Sequence, residues 1–177
     1  MNISTRTNDQ TARTSNPCAK QRAENLFSLG VKSVLEMCVG PSLKTLEHEY
    51  NQVGITVTGN DIEERWKNYY PQGKWLIGDA RTLSVDNFDA VVVAPPLSKG
   101  CSGARQDSLS IDEVFPSYYD FLGLNAKHLV LVLSGRTLSL KEDRKQLHKL
   151  ISTIKSTVEI VPLVDKVTKY VDLYITK

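Results

Sequence analysis

No apolar run in the 177 residues approaches the roughly 18–20 needed to cross a bilayer; the longest, Ala90–Leu97 with its two prolines and Leu129–Leu133, fall well short. The N-terminal residues also lack the apolar segment of a secretory leader. Cysteine is scarce: Cys18, Cys38 and Cys101 are odd in number, widely separated and without C-x-x-C or Cys/His spacing. That pattern indicates neither a disulfide framework nor a zinc site, so no metal is expected. An excess of one charge is missing too. The net charge is +2, and residues 1–22, with Arg6, Arg13, Lys20 and Arg22 against Asp9, leave the remainder near −1. The body is therefore no broad basic platform, although a local cluster could still grip phosphates. These absences predict a soluble, cytoplasmic protein of a reducing compartment, with no membrane partner.

What remains is ordinary globular composition, 41% hydrophobic and 24% charged, enough for one sizeable core. Residues 1–18 are largely polar, too poor in apolar side chains to offset the entropy of ordering. They read as a flexible tail ahead of a domain over residues 19–177. A helical pattern with Ala23, Leu26, Phe27 and Leu29 before Gly30 reads as an amphipathic lid or capping helix at the domain's edge.

Strand-like and helical stretches then alternate. Strands are expected at Ser33–Met37, Thr56–Asn60, Trp75–Gly78, Asp89–Val93 and His128–Leu133, with helices over about Ser42–Gln52, Glu63–Tyr70 and Leu140–Lys155. A further helix should open at Pro116 after a polar loop of about Ser98–Ser110. Such alternation argues for right-handed crossovers and a mostly parallel sheet. Val158–Val164 and Tyr170–Thr176 are joined by a segment too short for a helix. They must form a hairpin, so the last strand should be antiparallel.

Function is concentrated at the strand ends. Val34-Leu35-Glu36-Met37-Cys38-Val39-Gly40-Pro41-Ser42 is an apolar run closing in an acid and a glycine-containing turn before a helix. Gly59-Asn60-Asp61-Ile62, Gly78-Asp79-Ala80 and Val93-Ala94-Pro95-Pro96-Leu97 repeat the device. An Asp at one strand end often serves only as a turn or cap. An ordered series at the C-terminal side of a parallel sheet, where ligands bind, points to one cofactor cleft. Its first turn does not suit a dinucleotide, whose pyrophosphate needs glycine at 38, 40 and 43; the chain has Cys38, Gly40 and Leu43.

In these junctions the chain resembles the class I, Rossmann-like, S-adenosylmethionine-dependent methyltransferases, over roughly residues 19–177. The resemblance implies a seven-stranded, mostly parallel sheet with an antiparallel last strand and helices on both faces, and S-adenosylmethionine as cofactor. Glu36 with Cys38, Gly40 and Ser42 corresponds to the family's acid and Gly-rich turn, of which only the middle glycine is kept. Glu36 would either contact the cofactor's amino end or hold the loop in shape. Asp61, with Ile62 beside it, is by resemblance the ribose-binding acid; Asp79 would receive the adenine amino group and the Ala80 amide face a ring nitrogen.

Ala94-Pro95-Pro96-Leu97 resembles the Asn/Asp/Ser-Pro-Pro-Tyr motif of methyltransferases acting on planar nitrogens, and by resemblance carries the catalytic step. The paired prolines remove two N–H donors and leave carbonyls to accept the amine's hydrogens. Ala94 lacks the family's polar side chain and Leu97 its aromatic ring, though Leu97 still offers apolar cover. In the loop beyond, Lys99 and Arg105 could meet phosphate or carboxylate and Asp107 take a proton; Tyr119 could stack on substrate. His48, His128 and His148 share no motif.

The resulting expectation is an N-methyltransferase acting on a base amine of DNA or RNA. No separate recognition domain is apparent, which leaves room for single strands or a partner subunit. Two alternatives stay open: a methyltransferase for a small molecule or protein side chain, and a non-catalytic S-adenosylmethionine-binding module.

Overall fold

Four consecutive residues, Ala90–Val93, are buried on both faces, and their position explains it: they form a strand near the middle of a seven-stranded sheet. The computed structural model describes residues 14–83, 87–94, 126–134, 141–153, 157–163 and 170–176. Its strands are β1 (Ser33–Met37), β2 (Thr56–Asp61), β3 (Trp75–Ile77), β4 (Ala90–Val93), β5 (His128–Ser134), β6 (Thr157–Leu163) and β7 (Tyr170–Thr176). Their spatial order is β3-β2-β1-β4-β5-β7-β6. Neighbours from β3 to β5 pair in parallel, whereas β7 is antiparallel to both β5 and β6. The last strand alone therefore opposes the rest, as the short β6–β7 connection requires.

Helices cover both faces. Helices α1 (Asn16–Ser28) and α2 (Leu43–Gln52) share a core with Val34, Val57, Val92 and Val130. The opposite face buries Leu35, Met37, Val91 and Leu131, against which Leu147 and Ile151 of Lys141–Thr153 pack. Alternate residues of each strand thus serve different layers, the period-2 consequence of the pleat. A short helix, α3 (Arg65–Tyr69), lies before β3, and the Lys141–Thr153 helix is α4. α3 ends earlier than the pattern suggests because Pro71 follows Tyr70, which leaves the helical region with ψ of 72°. Among the described residues no helix is long and apolar enough to cross a membrane.

α1 differs from expectation. It begins at Asn16, inside the stretch assigned to the tail, with a proline in its first turn and Cys18 already buried. It is no edge lid: its inward stripe is Ala19, Arg22, Ala23 and Leu26, while Phe27 is exposed. The i, i+3, i+4 spacing places an arginine in the apolar face, and buried carboxylates make that tolerable. Arg22 Nε and Nη2 donate to Asp172 of β7 at 2.6 and 2.9 Å, and Nη1 lies 3.6 Å from Glu36 of β1. The Tyr50 hydroxyl of α2 also donates to Glu36. Arg22, Glu36, Tyr50 and Asp172 are each at least 98% buried.

Burial pushes the Glu36 carboxyl above its usual range, the Arg22 cation and the Tyr50 hydrogen bond pulling it partly back. A folded-state value above the unfolded one favours the folded chain at low pH, and that share is lost as pH rises through the folded value. Asp89, exposed before β4, behaves oppositely. Its Oδ2 accepts the Lys32 and Ser33 N–H groups, each at 2.9 Å, holding its carboxyl below the usual range. Its contribution is lost as pH falls through that lowered value.

Arg22→Ala leaves two buried carboxylates without a cation and should lower stability in urea titrations by about 3–5 kcal/mol. Replacing Arg22, Glu36 and Asp172 together with apolar residues of similar volume should recover most of that loss.

Candidate functional site

Because each crossover leaves the sheet from the same end, the loops after β1, β2, β3 and β4 open on one rim. Backbone bonds continue the ladders past the strands and lock these ends together. Val39 N–H donates to Asn60 O (3.0 Å), Gly78 N–H to Asp61 O (3.0 Å) and Ala94 N–H to Met37 O (3.2 Å). Asp61 is in register with Ile77, so Asp79 follows on the adjacent strand, on the same rim.

The turn after β1 has a specific backbone. Cys38 sits at φ 58° and Gly40 at φ 52°, on either side of a right-handed Val39. Cys38 is the one non-glycine residue with positive φ among the described residues, a conformation costing on the order of 1–3 kcal/mol for a side-chain-bearing residue. The fold thus imposes a glycine-like backbone although the glycine is gone. Gly59 matters for a different reason: a Cβ there would come within 2.8 Å of Leu43 and 3.1 Å of Val39, so its absence lets the turn lie on β2.

Alternating left- and right-handed residues aim backbone N–H groups into a concavity that attracts anions. Here the anion is intramolecular. Gly40 N–H donates to Asp61 Oδ2 at 2.8 Å, while Asp61 Oδ1 accepts the Glu63 N–H at 3.0 Å. Asp61 is 9% exposed, and burial raises its carboxyl above the usual range despite these bonds. The Ile62 N–H also bonds this carboxyl, and a carboxylate's four lone-pair sites still leave room for a hydroxyl donor. A pyrophosphate would have to displace or repel that carboxylate, which disfavours a dinucleotide. Beside it Ile62 is 67% exposed, an apolar side chain at the rim.

Asp79 is half-buried, with its carbonyl accepting the Thr82 N–H at 3.0 Å, and Ala80 is buried behind it. Their placement depends on Asn60, fully buried, whose Nδ2 donates to Leu76 O and Gly78 O, both at 2.9 Å.

Cys38, Gly40, Asp61, Ile62, Asp79 and Ala80 are therefore brought together, with Ala94 at the adjoining end of β4. Glu36 and Ser42 belong elsewhere. Glu36 is only 2% exposed and joins Arg22 and Tyr50 in the interior, which sets it apart from the exposed rim and is compatible with the loop-holding role expected from sequence. Ser42 is buried, and its Oγ accepts the Thr14 N–H at 2.9 Å, anchoring the approach to α1. Pro95, Pro96, Leu97, Lys99, Arg105, Asp107 and Tyr119 lie outside the described residues, as do the expected polar loop and the helix at Pro116. A groove on the outer face of α2, beside Lys44, Glu47, His48 and Tyr70, shares no lining residue with the rim.

Sequence reasoning missed Arg22, Tyr50, Asn60 and Asp172. The last two carried a signal, since each is a polar residue inside a strand pattern.

No family model matches the sequence, and comparison with curated proteins finds no match. Solved structures do match. The magnesium protoporphyrin IX methyltransferase ChlM of Synechocystis PCC 6803, crystallised with bound SAM, superposes with a TM-score of 0.66 at 14% identity, covering 92% of this chain and 79% of that one. A human methyltransferase 10 domain containing protein gives 0.67 at 14% identity, covering 92% and 83%. The hMettl16 catalytic domain in complex with the MAT2A 3'UTR hairpin 6 gives 0.65 at 14% identity, covering 92% and 71%. The fold is that of the class I methyltransferases.

If the fold imposes the left-handed turn, Cys38→Gly should leave stability unchanged or raise it by up to about 1 kcal/mol. Cys38→Val, β-branched at a positive φ, should lower it by about 1–2 kcal/mol in the same denaturation assay.

Proposed function

We propose that the chain is an S-adenosylmethionine-dependent methyltransferase whose acceptor is an exocyclic amine of a nucleic-acid base. The observation that carries the reading is the Asp61 carboxylate, held at the rim by the Gly40 and Glu63 N–H groups, with the Asp79 strand end following on the adjacent strand. This arrangement fills the turn's anion site internally and suits an adenosine bearing no phosphate. The residues fit the group. Asp61 would accept the ribose hydroxyls, Ile62 cover the adenine, and Asp79 with the Ala80 amide read its amino edge. Cys38 and Gly40 would bring the turn's backbone against the methionine portion. The bound sulfonium supplies an activated methyl group, leaving the protein chiefly the work of alignment and exclusion of water.

For the acceptor, support comes from Ala94-Pro95-Pro96-Leu97 after β4. The Pro95 carbonyl would accept an amine hydrogen and direct the nitrogen lone pair at the methyl group, with Leu97 covering the ring. Lys99, Arg105, Asp107 and Tyr119 are proposed to approach the acceptor from the following loop and helix. A duplex target would need its base flipped out of the stack, whereas a single strand offers its bases already unpaired. A small-molecule or protein acceptor is the second reading, favoured by the missing polar side chain at Ala94 and the near-neutral body. The retained left-handed turn at Cys38 speaks against a degenerate, non-catalytic module.

Titration calorimetry should show S-adenosylhomocysteine binding without NAD binding. Asp61→Ala and Asp79→Ala should each weaken it about tenfold to a hundredfold, the worth of hydrogen bonds to a charged group. Affinity should also fall as pH drops through the raised Asp61 value, since protonation removes the acceptor. Labelled methyl groups should enter single-stranded RNA or DNA; their transfer only to small molecules or proteins would select the second reading.

A further inference from the structure

Among the described residues the exposed large hydrophobic side chains are Phe27, Ile62, Tyr69, Leu76, Ile77 and Ile160. Four of these six fall between residues 62 and 77: Ile62 in the turn after β2, Tyr69 on α3, and Leu76 and Ile77 on the edge strand β3. The same stretch, residues 62–77, contains Arg65, Lys67 and Lys74 against Glu63 and Glu64, Glu63 being paired with Arg65. Aromatic surface and cations therefore coincide at one end of the sheet.

Two of the four aromatics there are structural. Tyr70 donates its hydroxyl to Glu47, and Trp75 Nε1 donates to Tyr70 O at 2.8 Å. The other two face outward: Tyr69 is 58% exposed, and half-buried Trp66 carries the Arg65 guanidinium 4.5 Å above its ring. Arg65 is fixed on its other side by Glu63, so it offers a flat, pre-ordered stacking plane rather than a phosphate ligand. Lys67 and Lys74 are exposed and form no ion pair among the described residues.

We propose that the α3–β3 surface is a docking platform for single-stranded nucleic acid, with bases stacking on Tyr69 and the Arg65–Trp66 pair and phosphates meeting Lys67 and Lys74. This rests on the nucleic-acid reading above and adds to it a surface that delivers the acceptor strand. Its chemistry favours nucleic acid over a protein partner. Flat π faces interleaved with exposed cations match unstacked bases on a polyanion, whereas protein interfaces are depleted in lysine. Location agrees, because α3 begins just after Ile62 and β3 ends just before Asp79, and β4 lies three strand spacings from β3, about 14 Å. A bound strand crossing the rim would bring a neighbouring base to the Ala94 end.

The test is fluorescence anisotropy of the full chain with labelled oligouridylate, oligothymidylate and a duplex of equal length, alongside methyl incorporation and S-adenosylhomocysteine calorimetry. Single strands should bind more tightly than duplex. Tyr69→Ala should weaken that binding about fivefold to a hundredfold, and Lys67→Ala or Lys74→Ala should each flatten the salt dependence by about 0.7 in log–log slope. Unchanged S-adenosylhomocysteine binding would establish that these variants are folded. Binding or base methylation indifferent to all three substitutions overturns the platform and leaves the acceptor reading standing. Tyr69-dependent binding without base methylation keeps the platform and removes that reading. Absence of binding by the unaltered chain, or self-association that Tyr69→Ala abolishes with no effect on nucleic acid, overturns the platform.

Discussion

One guanidinium, that of Arg22, ties the N-terminal helix to strands lying on either side of β4 and β5. It bonds Asp172 of β7 through two nitrogens and approaches Glu36 of β1, which Tyr50 of α2 also holds. Burial of the Glu36 carboxyl outweighs the pull of the one cation it shares with Asp172, and the carboxyl is raised above its usual range. A buried cluster of this kind stabilises little relative to an apolar core but is costly to leave half-made. Its consequence is positional: α1, α2, β1 and β7 have one mutual arrangement that satisfies it. Glu36 stands immediately before Met37 and the Cys38 turn, so the start of the rim inherits that arrangement.

At the rim the organising group is again a carboxylate. Asp61 takes the Gly40 N–H and the Glu63 N–H and thereby couples the first turn to the second. Asn60, one residue earlier and facing the other way along the pleat, couples the second to the third through Leu76 O and Gly78 O. Two consecutive polar residues thus bind three loops into one surface without any ligand. Cys38 takes a left-handed conformation that favours glycine, next to the Val39 N–H bond to Asn60 O that fixes the turn on β2.

Much of this was legible in sequence. Strand starts at Ser33, Thr56, His128 and Tyr170 follow from apolar runs punctuated by Gly, Asp and Pro, and the short β6–β7 connection forced the antiparallel ending. The strand-end positions of Asp61 and Asp79 were legible because acids recur there in order. Glu36 turns inward for a reason that periodicity contains: on β1 it alternates with Leu35 and Met37 and shares the α1–α2 face with Val34, so its side chain enters the core. What makes that tolerable, Arg22 and Asp172, lies 14 residues before and 136 after it. No local pattern announces such a pairing. Phe27 was assigned to the wrong side of α1 because an arginine in an apolar stripe reads as a surface residue until its partners are known.

The central claim is that the β1, β2 and β3 ends form one pocket for an adenosyl group. Amide NMR titration of the isotopically labelled chain with S-adenosylhomocysteine tests it most directly. The account predicts saturable shifts concentrated on Cys38, Gly40, Asp61, Ile62, Asp79 and Ala80, with the α2 groove residues Lys44, Glu47 and His48 unmoved. Shifts confined to that groove, or none at millimolar ligand, would contradict it.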